Sequence, residues 1–295
     1  MEEKIWIAAG EPRREMLTGE KNFDAFLKII SGACTIFYVE NQTYNDPLSL
    51  VAAWLTNCAE DEYGIIINTY DDPVRLAENF QNLNPEIVEK TIMLSKENRF
   101  FWIDMFTYRG FNDVEAEKLW VDYKLALEPL DVNFSNYFSV KKPSDLGSIH
   151  GLNPILNHIL ERTGGEKKAR IAVAYGDDLV DLTGEDEFLK FYRRQINTII
   201  HKFNNAAIFI FSYMSHSQKF HATLERLSDS VIRWGWGRLG RRSQEEKFLE
   251  ILKSPIPDVY LGKVRYNLNK KMLPVLSSSK ITSLTSQKKK KSETR

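Results

Sequence analysis

The densest group of residues that could do chemistry lies between positions 233 and 242. It combines arginines, tryptophans and glycines without an acidic residue: Arg233, Trp234, Gly235, Trp236, Gly237, Arg238, Gly240, Arg241 and Arg242. Arginine fits phosphate, tryptophan stacks on nucleobases, and glycine lets a loop adapt. The segment is therefore a candidate nucleic-acid contact. Two alternatives stay open: a β-hairpin whose tryptophans pack on the core, and an interface with a neighbouring subunit, where tryptophan and arginine are enriched.

A second candidate is the loop at residues 213–217, which follows an apolar segment at 207–211. Loops at the carboxyl ends of parallel strands are where sites form, and His216 lies in this one. Ser215 and His216 are neighbours in sequence, which does not make a catalytic pair, and the chain has no Gly-x-Ser-x-Gly motif. The other histidines fit no metal-ligand spacing, and Cys34 and Cys58 form no metal pattern. We therefore assign no catalytic residue and predict no metal site.

Charge is distributed unevenly along a chain whose formal net charge is zero. Residues 1–150 contain 14 Lys and Arg against 25 Asp and Glu, residues 151–269 contain 18 against 14, and residues 270–295 contain 8 against 1. The acidic first half is an unfavourable surface for a polyanion. Contact with nucleic acid is therefore expected through residues 233–242 and the lysine run at 288–291, although such a run is also typical of a solvated tail.

The composition is that of an ordinary soluble globular protein, with 43% apolar and 27% charged residues in 295. The apolar runs are too short to span a bilayer, so no membrane contact is expected. The N-terminus, Met-Glu-Glu-Lys, lacks the basic and apolar regions of a secretory signal. The two cysteines do not form a disulfide framework, which agrees with a reducing compartment. We therefore predict a cytoplasmic protein.

Short apolar strands alternate with amphipathic helices along most of the chain. Strands are predicted at residues 35–39, 65–67, 91–94, 100–103, 171–174 and 207–211. Helices are predicted to begin at Asp46-Pro47 (with Asp46 as the N-cap), at Asp72-Pro73 and at Asn153-Pro154, and the clearest helix covers residues 185–203. This alternation predicts βαβ units and a mostly parallel sheet. Shorter strands follow at 231–234, 248–252 and 259–261, for which antiparallel pairing is one option.

The order of these features resembles RecA-superfamily ATPases of the KaiC/RadA type over residues 17–266. The resemblance is carried, in the family's order, by Leu17-Thr18-Gly19, residues 23–27, Gly32, the strand at 35–39, and residues 65–69, 170–174, 207–211 and 228–232. It implies an α/β fold with a RecA-like twisted, mostly parallel sheet and helices on both faces. It also implies an N-terminal extension at 1–16 and a RecA/KaiC-like core domain at 17–276. Residues 277–295 are rich in Ser, Thr and Lys and cannot bury apolar surface, so we expect a disordered basic tail there.

The resemblance fails where the family binds ATP phosphates. A P-loop needs Gly-x-x-x-x-Gly-Lys-Ser/Thr between a strand and a helix, because backbone N–H groups and the lysine hold phosphate and the hydroxyl holds Mg²⁺. The eight residues at that place are Glu40, Asn41, Gln42, Thr43, Tyr44, Asn45, Asp46 and Pro47. None of the four required positions is kept, and Asp46 reverses the charge of the lysine. The chain therefore resembles a degenerate, Walker-A-lacking paralogue of archaeal type.

The chain also departs from the family's pattern at the Walker B aspartate, which in the family lies directly on an apolar strand. Asp177 and Asp178 follow the strand at 171–174, and either carboxylate could hold Mg²⁺ if the motif has shifted by a few residues. The alternative is a solvated turn, which the missing P-loop favours. Asp104, which follows Phe101-Trp102-Ile103, is a competing look-alike that we interpret as the end of another strand.

These features predict a non-hydrolysing RecA/KaiC-like pseudo-ATPase that acts as a regulatory or assembly subunit, with neither ATP nor Mg²⁺ as a cofactor. Its expected partners are another protein or further copies of itself, with nucleic acid as an option through residues 233–242 and the lysine tail. One alternative is a noncanonical nucleotide-binding ATPase that uses Asp177, Asp178 and a neighbour's arginine. Another is a protein-interaction module that does not bind nucleic acid.

Overall fold

The structure is a computed structural model of the chain. It describes residues 6–8, 11–43, 46–69, 73–107, 111–130, 136–140, 148–163, 167–238, 245–256, 262–270 and 273–276. The predictions for Tyr44, Asn45, Arg241 and Arg242, for the strand at 259–261 and for the tail at 277–295 lie outside these residues.

Twelve strands are present in the part of the chain that the structure describes. They are β1 (Trp6–Ala8), β2 (Glu11–Arg13), β3 (Ala33–Val39), β4 (Glu62–Asn68), β5 (Phe100–Asp104), β6 (Tyr137–Ser139), β7 (Lys168–Val173), β8 (Ala206–Ser212), β9 (Ser230–Arg238), β10 (Glu245–Lys253), β11 (Lys263–Leu268) and β12 (Pro274–Leu276). The first two form a separate antiparallel hairpin. The other ten form one sheet in the order β12-β11-β10-β9-β3-β8-β7-β4-β5-β6.

The sheet has two halves that differ in strand direction. From β9 to β6 all neighbouring strands are parallel, whereas β9, β10, β11 and β12 pair in antiparallel fashion. The predicted α/β class with a mostly parallel sheet is confirmed. The strands predicted at 231–234 and 248–252 are also confirmed, and they are antiparallel partners.

Helices cover both faces of the sheet, as predicted. They are α1 (Lys21–Phe26), α2 (Asp46–Thr56), α3 (Pro73–Gln81), α4 (Pro85–Lys96), α5 (Asp113–Leu127), α6 (Leu152–Arg162), α7 (Gly176–Thr183), α8 (Glu185–Gln195) and α9 (Gln218–Leu227). Residues of α1 to α5 share one apolar core with alternate residues of the strands, and residues of α6 to α9 share a second core with the others. The helix predicted at 185–203 is α8, which continues as a π-helical segment, Ile196–His201.

The strand predicted at residues 91–94 is wrong, because these residues lie inside α4. Asn84 caps this helix by accepting a hydrogen bond from the backbone N–H of Glu86 (3.3 Å), and Pro85 follows in the first turn. The buried residues of α4 then recur at helical spacing: Ile87, Thr91, Leu94 and Ser95. A short apolar run inside an amphipathic helix therefore had the local appearance of a strand.

Among the residues that the structure describes, none of the helices combines the length and the apolar character needed to span a bilayer.

Candidate functional site at the junction of β3 and α2

The segment that would hold phosphate lies at the carboxyl end of β3, between this strand and α2. Strand β3 is flanked by β8 and β9 in the middle of the sheet. Glu40 follows the strand, a 3₁₀ turn covers Asn41–Thr43, and α2 begins with Asp46 and Pro47. The Thr43 hydroxyl donates to the carbonyl of Trp234 (2.9 Å), which fixes the turn against β9. Residues 40–43 therefore lie between the end of β3 and the start of α2, and residues 46–47 begin α2.

Glu40, which the sequence resemblance aligns with the first P-loop glycine, is bound by two groups of β9. Its carboxylate accepts hydrogen bonds from Arg233 Nε (2.9 Å) and from the backbone N–H of Trp236 (2.8 Å). The Arg233 guanidinium also lies over the ring of Tyr213, 4.1 Å from the centroid. Both charges are therefore held in place within the chain, and Glu40 anchors the end of β3 to β9.

Asp46, which the sequence resemblance aligns with the P-loop lysine, is bound by two side chains from the antiparallel half of the sheet. Its carboxylate lies 2.7 Å from Lys247 Nζ and accepts a hydrogen bond from the Tyr266 hydroxyl at 2.5 Å. Asp46 is only 7% exposed, so these contacts replace its hydration. Burial raises the pKa of Tyr266, and the bond to Asp46 raises it further, so the phenol stays protonated and donates.

The prediction that Asp46 is the N-cap of its helix needs correction. Asp46 is the first residue of α2, and its carboxylate bonds to Lys247 of β10 and Tyr266 of β11. The side chain thus connects the helix to strands about 200 residues away in sequence. Local sequence reasoning missed both partners, because an isolated lysine or tyrosine in a strand has no signal that identifies its contact.

The two carboxylates and the two cations give a site that is electrostatically satisfied. Glu40 is paired with Arg233 and Asp46 with Lys247, so both of these cations already have anionic partners. A buried ion pair loses several kcal/mol if one partner is removed, because the other charge remains desolvated. A phosphate group would have to displace a carboxylate from each cation and would meet the two carboxylates at close range.

Asp177, the candidate Walker B residue, ties β7 to the turn that follows β8. It is the second residue of α7, and its carboxylate accepts from the backbone N–H of Ser212 (2.7 Å) and the hydroxyl of Ser215 (2.6 Å). The same carboxylate lies 3.1 Å from Nε2 of His216. Asp178 is the next residue of the helix. The structure therefore brings Asp177 and His216 together and gives Asp177 a role in holding the loop at 213–217.

His221, which sequence reasoning left aside, lies beside this group. The backbone N–H of His216 points to its Nε2 (3.3 Å), and its Nδ1 lies 3.1 Å from the Tyr38 hydroxyl. Burial lowers the pKa of His221, and the neighbouring His216 lowers it further, whereas Asp177 and Glu185 oppose the shift. Within the described ranges, no group of three or more His, Cys, Asp and Glu side chains could hold a metal ion.

The arginine- and tryptophan-rich segment is divided between core and surface. Trp234 is completely buried in β9 and packs against Tyr266, with ring centroids 5.2 Å apart. Trp234 and the paired Arg233 are therefore not available as a contact surface, which corrects the prediction for these two residues. Trp236 is 37% exposed, with its indole N–H donated to Glu245 (2.8 Å), and Arg238 is exposed at the end of the strand.

Asp104, the other look-alike of a Walker B residue, is the last residue of β5. Its carboxyl group accepts hydrogen bonds from the Tyr137 hydroxyl (2.8 Å) and the backbone N–H of Phe106 (2.8 Å). Burial raises its pKa. These contacts hold the Asp104 side chain at the end of β5, in agreement with the interpretation of Asp104 as a strand end.

The fold resembles that of a KaiC-like protein. A crystal structure of the KaiC-like protein from the hyperthermophilic archaeon Pyrococcus horikoshii matches with a TM-score of 0.60 over 90% of this chain and 100% of that one. The two sequences are 13% identical, so the match concerns the fold alone. No protein-family model matches the sequence. No curated protein matches it either. The RecA-like fold implied by the order of the sequence features is confirmed.

Proposed function

We propose that this chain is a non-hydrolysing RecA/KaiC-like pseudo-ATPase, which acts as a regulatory or assembly subunit. The observation that carries the proposal is the burial of Asp46 and its contacts within the chain. The residue that takes the place of the P-loop lysine is an aspartate, it is buried, and Lys247 and Tyr266 of the same chain hold it. The scaffold of the fold is retained, and side chains of the chain itself bind the carboxylate of Asp46 at this junction.

Electrostatics at this junction oppose a triphosphate. At an effective dielectric constant of about 20, two like charges ~4 Å apart repel by roughly 4 kcal/mol. One charge-assisted hydrogen bond contributes about 1.5–3 kcal/mol, which is less than this repulsion. The amino end of a helix would otherwise favour an anion, but here it already has one in Asp46.

Calorimetry with Mg²⁺-ATP tests the proposal directly. We expect no binding heat with the full-length protein up to millimolar nucleotide. A dissociation constant in the micromolar range would overturn the proposal. An ATPase assay run in parallel, with Asp177→Ala as the comparison, tests the alternative of a noncanonical ATPase: turnover in the native protein that Asp177→Ala abolishes would support that alternative.

A nucleic-acid contact is the second candidate, and the exposure of Trp236 and Arg238 at the end of β9 supports it. Arg241 and Arg242 follow in sequence and would add two charges. We infer that a contact of this kind would be salt-dependent, because each phosphate neutralised by Lys or Arg releases a counterion.

Replacement of Arg238, Arg241 and Arg242 by alanine tests this contact. Affinity for single-stranded and duplex DNA and RNA would be measured from 50 to 200 mM salt. We expect weaker binding and a shallower salt slope in the triple variant than in the native protein. A second variant with alanine at Lys288, Lys289 and Lys290 removes the same charge from the tail and measures the share of the binding that the tail contributes. A native slope near zero would favour a protein-interaction module.

A further inference from the structure

The loop that follows β8, residues 213–217, holds a conformation that its own sequence does not favour. Met214 has a backbone φ of +60°, in the left-handed region, although it is not a glycine. This conformation costs an L-residue free energy and persists where neighbouring contacts impose it. The side chain of Met214 is 64% exposed, so its own packing contributes little. The loop is therefore held by the contacts of its other residues.

Carboxylates anchor both ends of this loop. Asp177 of α7 accepts from the backbone N–H of Ser212 (2.7 Å), where β8 ends, and from the Ser215 hydroxyl (2.6 Å). Glu185, in the first turn of α8, accepts from the hydroxyl of Ser217 (2.5 Å) and from its backbone N–H (2.7 Å). These bonds lower the pKa of Glu185. Because aspartate and glutamate are normally ionised above about pH 5, both anchors persist at mildly acidic pH.

A neutral histidine holds the centre of the loop. The backbone N–H of His216 donates to Nε2 of His221 (3.3 Å), and Nδ1 of His221 lies 3.1 Å from the Tyr38 hydroxyl. An imidazole nitrogen accepts only when it carries no proton, so this contact requires a neutral His221 with its proton on Nδ1. Protonation places an N–H on Nε2, and two donors then face each other. The central contact is therefore lost while the ends stay bound.

The titratable groups around His221 come from several elements. Burial lowers the pKa of His221 and His216 lowers it further, whereas Asp177 of α7 and Glu185 of α8 oppose the shift. Nε2 of His216 lies 3.1 Å from Asp177, so a charge on His216 is paired there. Burial raises the pKa of Tyr38 in β3, which stays protonated. The other titratable groups nearby are Tyr213 beside Tyr38, and Glu225 of α9 with Lys253 of β10. His221 is therefore neutral at neutral pH and takes up a proton below about pH 6.5.

The same loop borders the junction of β3 and α2. Its first residue, Tyr213, donates its backbone N–H to the carbonyl of Val39 (2.8 Å), and its ring lies under the Arg233 guanidinium, 4.1 Å from the centroid. Arg233 in turn binds Glu40. While the loop is held, the exposed side chain of Met214 therefore has a fixed position next to this junction.

We propose that residues 213–217 form an acid-sensitive latch. With His221 neutral, the latch is closed and presents Met214 in one position beside the junction. With His221 protonated, the centre of the latch is released and Met214 becomes mobile. Any partner that contacts Met214 then meets an ordered surface at neutral pH and a mobile one below about pH 6.5. The latch does not depend on whether the junction binds nucleotide.

A nitroxide spin label on Met214→Cys tests the proposal in the full-length chain. A Cys58→Ser background directs the label to the new cysteine, because Cys34 is completely buried. We expect slow label motion at about pH 7.5 and a growing mobile component as the pH falls to about 5. The same label in a His221→Gln variant stays slow, because the glutamine carbonyl accepts at every pH in this range.

Two further variants assign the transition to one histidine. His216→Gln keeps the backbone N–H and therefore keeps the transition, which moves to higher pH because a group that lowers the pKa of His221 is gone. His201→Gln, in the π-helical segment before β8, is the matched control and leaves the transition as in the native chain.

Amide exchange of His216, followed with ¹⁵N-labelled histidine, measures the central hydrogen bond without a spin label. We expect its protection, corrected for the pH dependence of a free amide, to fall about fivefold between about pH 7.5 and about pH 5, the share of one ordinary hydrogen bond. Circular dichroism verifies that each variant is folded at both pH values. A label equally mobile at both pH values, a transition that persists in His221→Gln, or an unchanged protection of the His216 amide would each overturn the proposal.

Discussion

At the scale of single residues, Asp46 is the side chain on which the candidate site depends. A lysine at this position would repel Lys247, whereas the aspartate attracts it at 2.7 Å and also accepts from Tyr266. Under the proposed function, the aspartate that stands in place of the P-loop lysine thus adds an internal contact. The same residue connects the site, α2 and the antiparallel strands, so its loss should be measurable as a loss of stability.

We predict that Asp46→Ala lowers the free energy of unfolding by about 2 kcal/mol, because it leaves the Lys247 charge and the Tyr266 hydroxyl without their acceptor. Denaturant titration measures the change, and a double-mutant cycle with Lys247→Met isolates the pair. Glu187→Ala is the control. It breaks the exposed pair with Lys190 and should cost under about 0.5 kcal/mol. Additive effects of Asp46→Ala and Lys247→Met would contradict the prediction.

His221 gives the stability of the protein a dependence on pH. Its pKa in the fold lies below the value of about 6.5 for an exposed imidazole. Above pH 6.5 both the folded and the unfolded chain hold the ring neutral. As the pH falls through 6.5, the unfolded chain takes up the proton first, so the folded state loses stability until the pH has passed the lower, folded pKa.

We therefore predict that the native protein is destabilised between pH 7 and pH 5 relative to a His221→Gln variant, which cannot titrate there. The two proteins differ only at residue 221, so the difference between their denaturation midpoints reports His221 together with its charge interactions. Protonation also removes Nε2 as the acceptor for the backbone N–H of His216. Midpoints that fall in parallel for the two proteins would show that His221 does not contribute.

At the scale of elements, the pairing of β9 with β10 depends on a glycine beneath an aromatic ring. Gly235 lies directly opposite Phe248, and a Cβ at Gly235 would lie 2.2 Å from Cζ of that ring. Phe248 is 3% exposed, and Lys263 lies over its outer face, 4.4 Å from the centroid. The ring therefore cannot move aside without losing these contacts.

We predict that Gly235→Ala costs about 1–3 kcal/mol of stability through overpacking. Gly237→Ala is a matched control on the same strand, because its Cβ would lie 3.7 Å from the same ring, an ordinary contact. Thermal denaturation of both variants provides the comparison. Equal melting temperatures would mean that the ring shifts freely and that the packing argument is wrong.

The elements also show which parts of the fold can be read from sequence. Strands such as β3 and β8 are predictable because they are continuous apolar runs buried on both faces. The segment at 91–94 resembles a strand by itself, and only the cap at Asn84 identifies it as part of α4. The segment between β3 and α2 can be located from sequence because it directly follows a predictable strand and directly precedes a predictable helix. Lys247 and Tyr266 contact Asp46 only through the tertiary fold, so sequence does not predict them.

At the scale of the whole molecule, the parallel sheet is the unit that must open for the protein to unfold. Cys34 lies in β3, between β8 and β9, and is completely buried, with its sulfur 2.9 Å from the Tyr192 hydroxyl. Cys58 lies just after α2 and is partly exposed. Burial raises the pKa of both thiols, that of Cys58 to about 12, so neither is reactive in the folded state without exposure.

We predict that a thiol reagent modifies Cys34 only through global unfolding, because every element that covers it belongs to the same sheet or to the helices packed on it. In a Cys58→Ser variant, the free energy of opening obtained from Cys34 modification should equal that of unfolding. It should also fall with denaturant at the same slope as the fluorescence transition. A slope well below the global value would instead show that β9 and the antiparallel strands beyond it separate from β3 while the rest of the sheet stays folded. The two halves of the sheet would then be independent cooperative units, and the contacts of Glu40 and Asp46 would be the connection that breaks first.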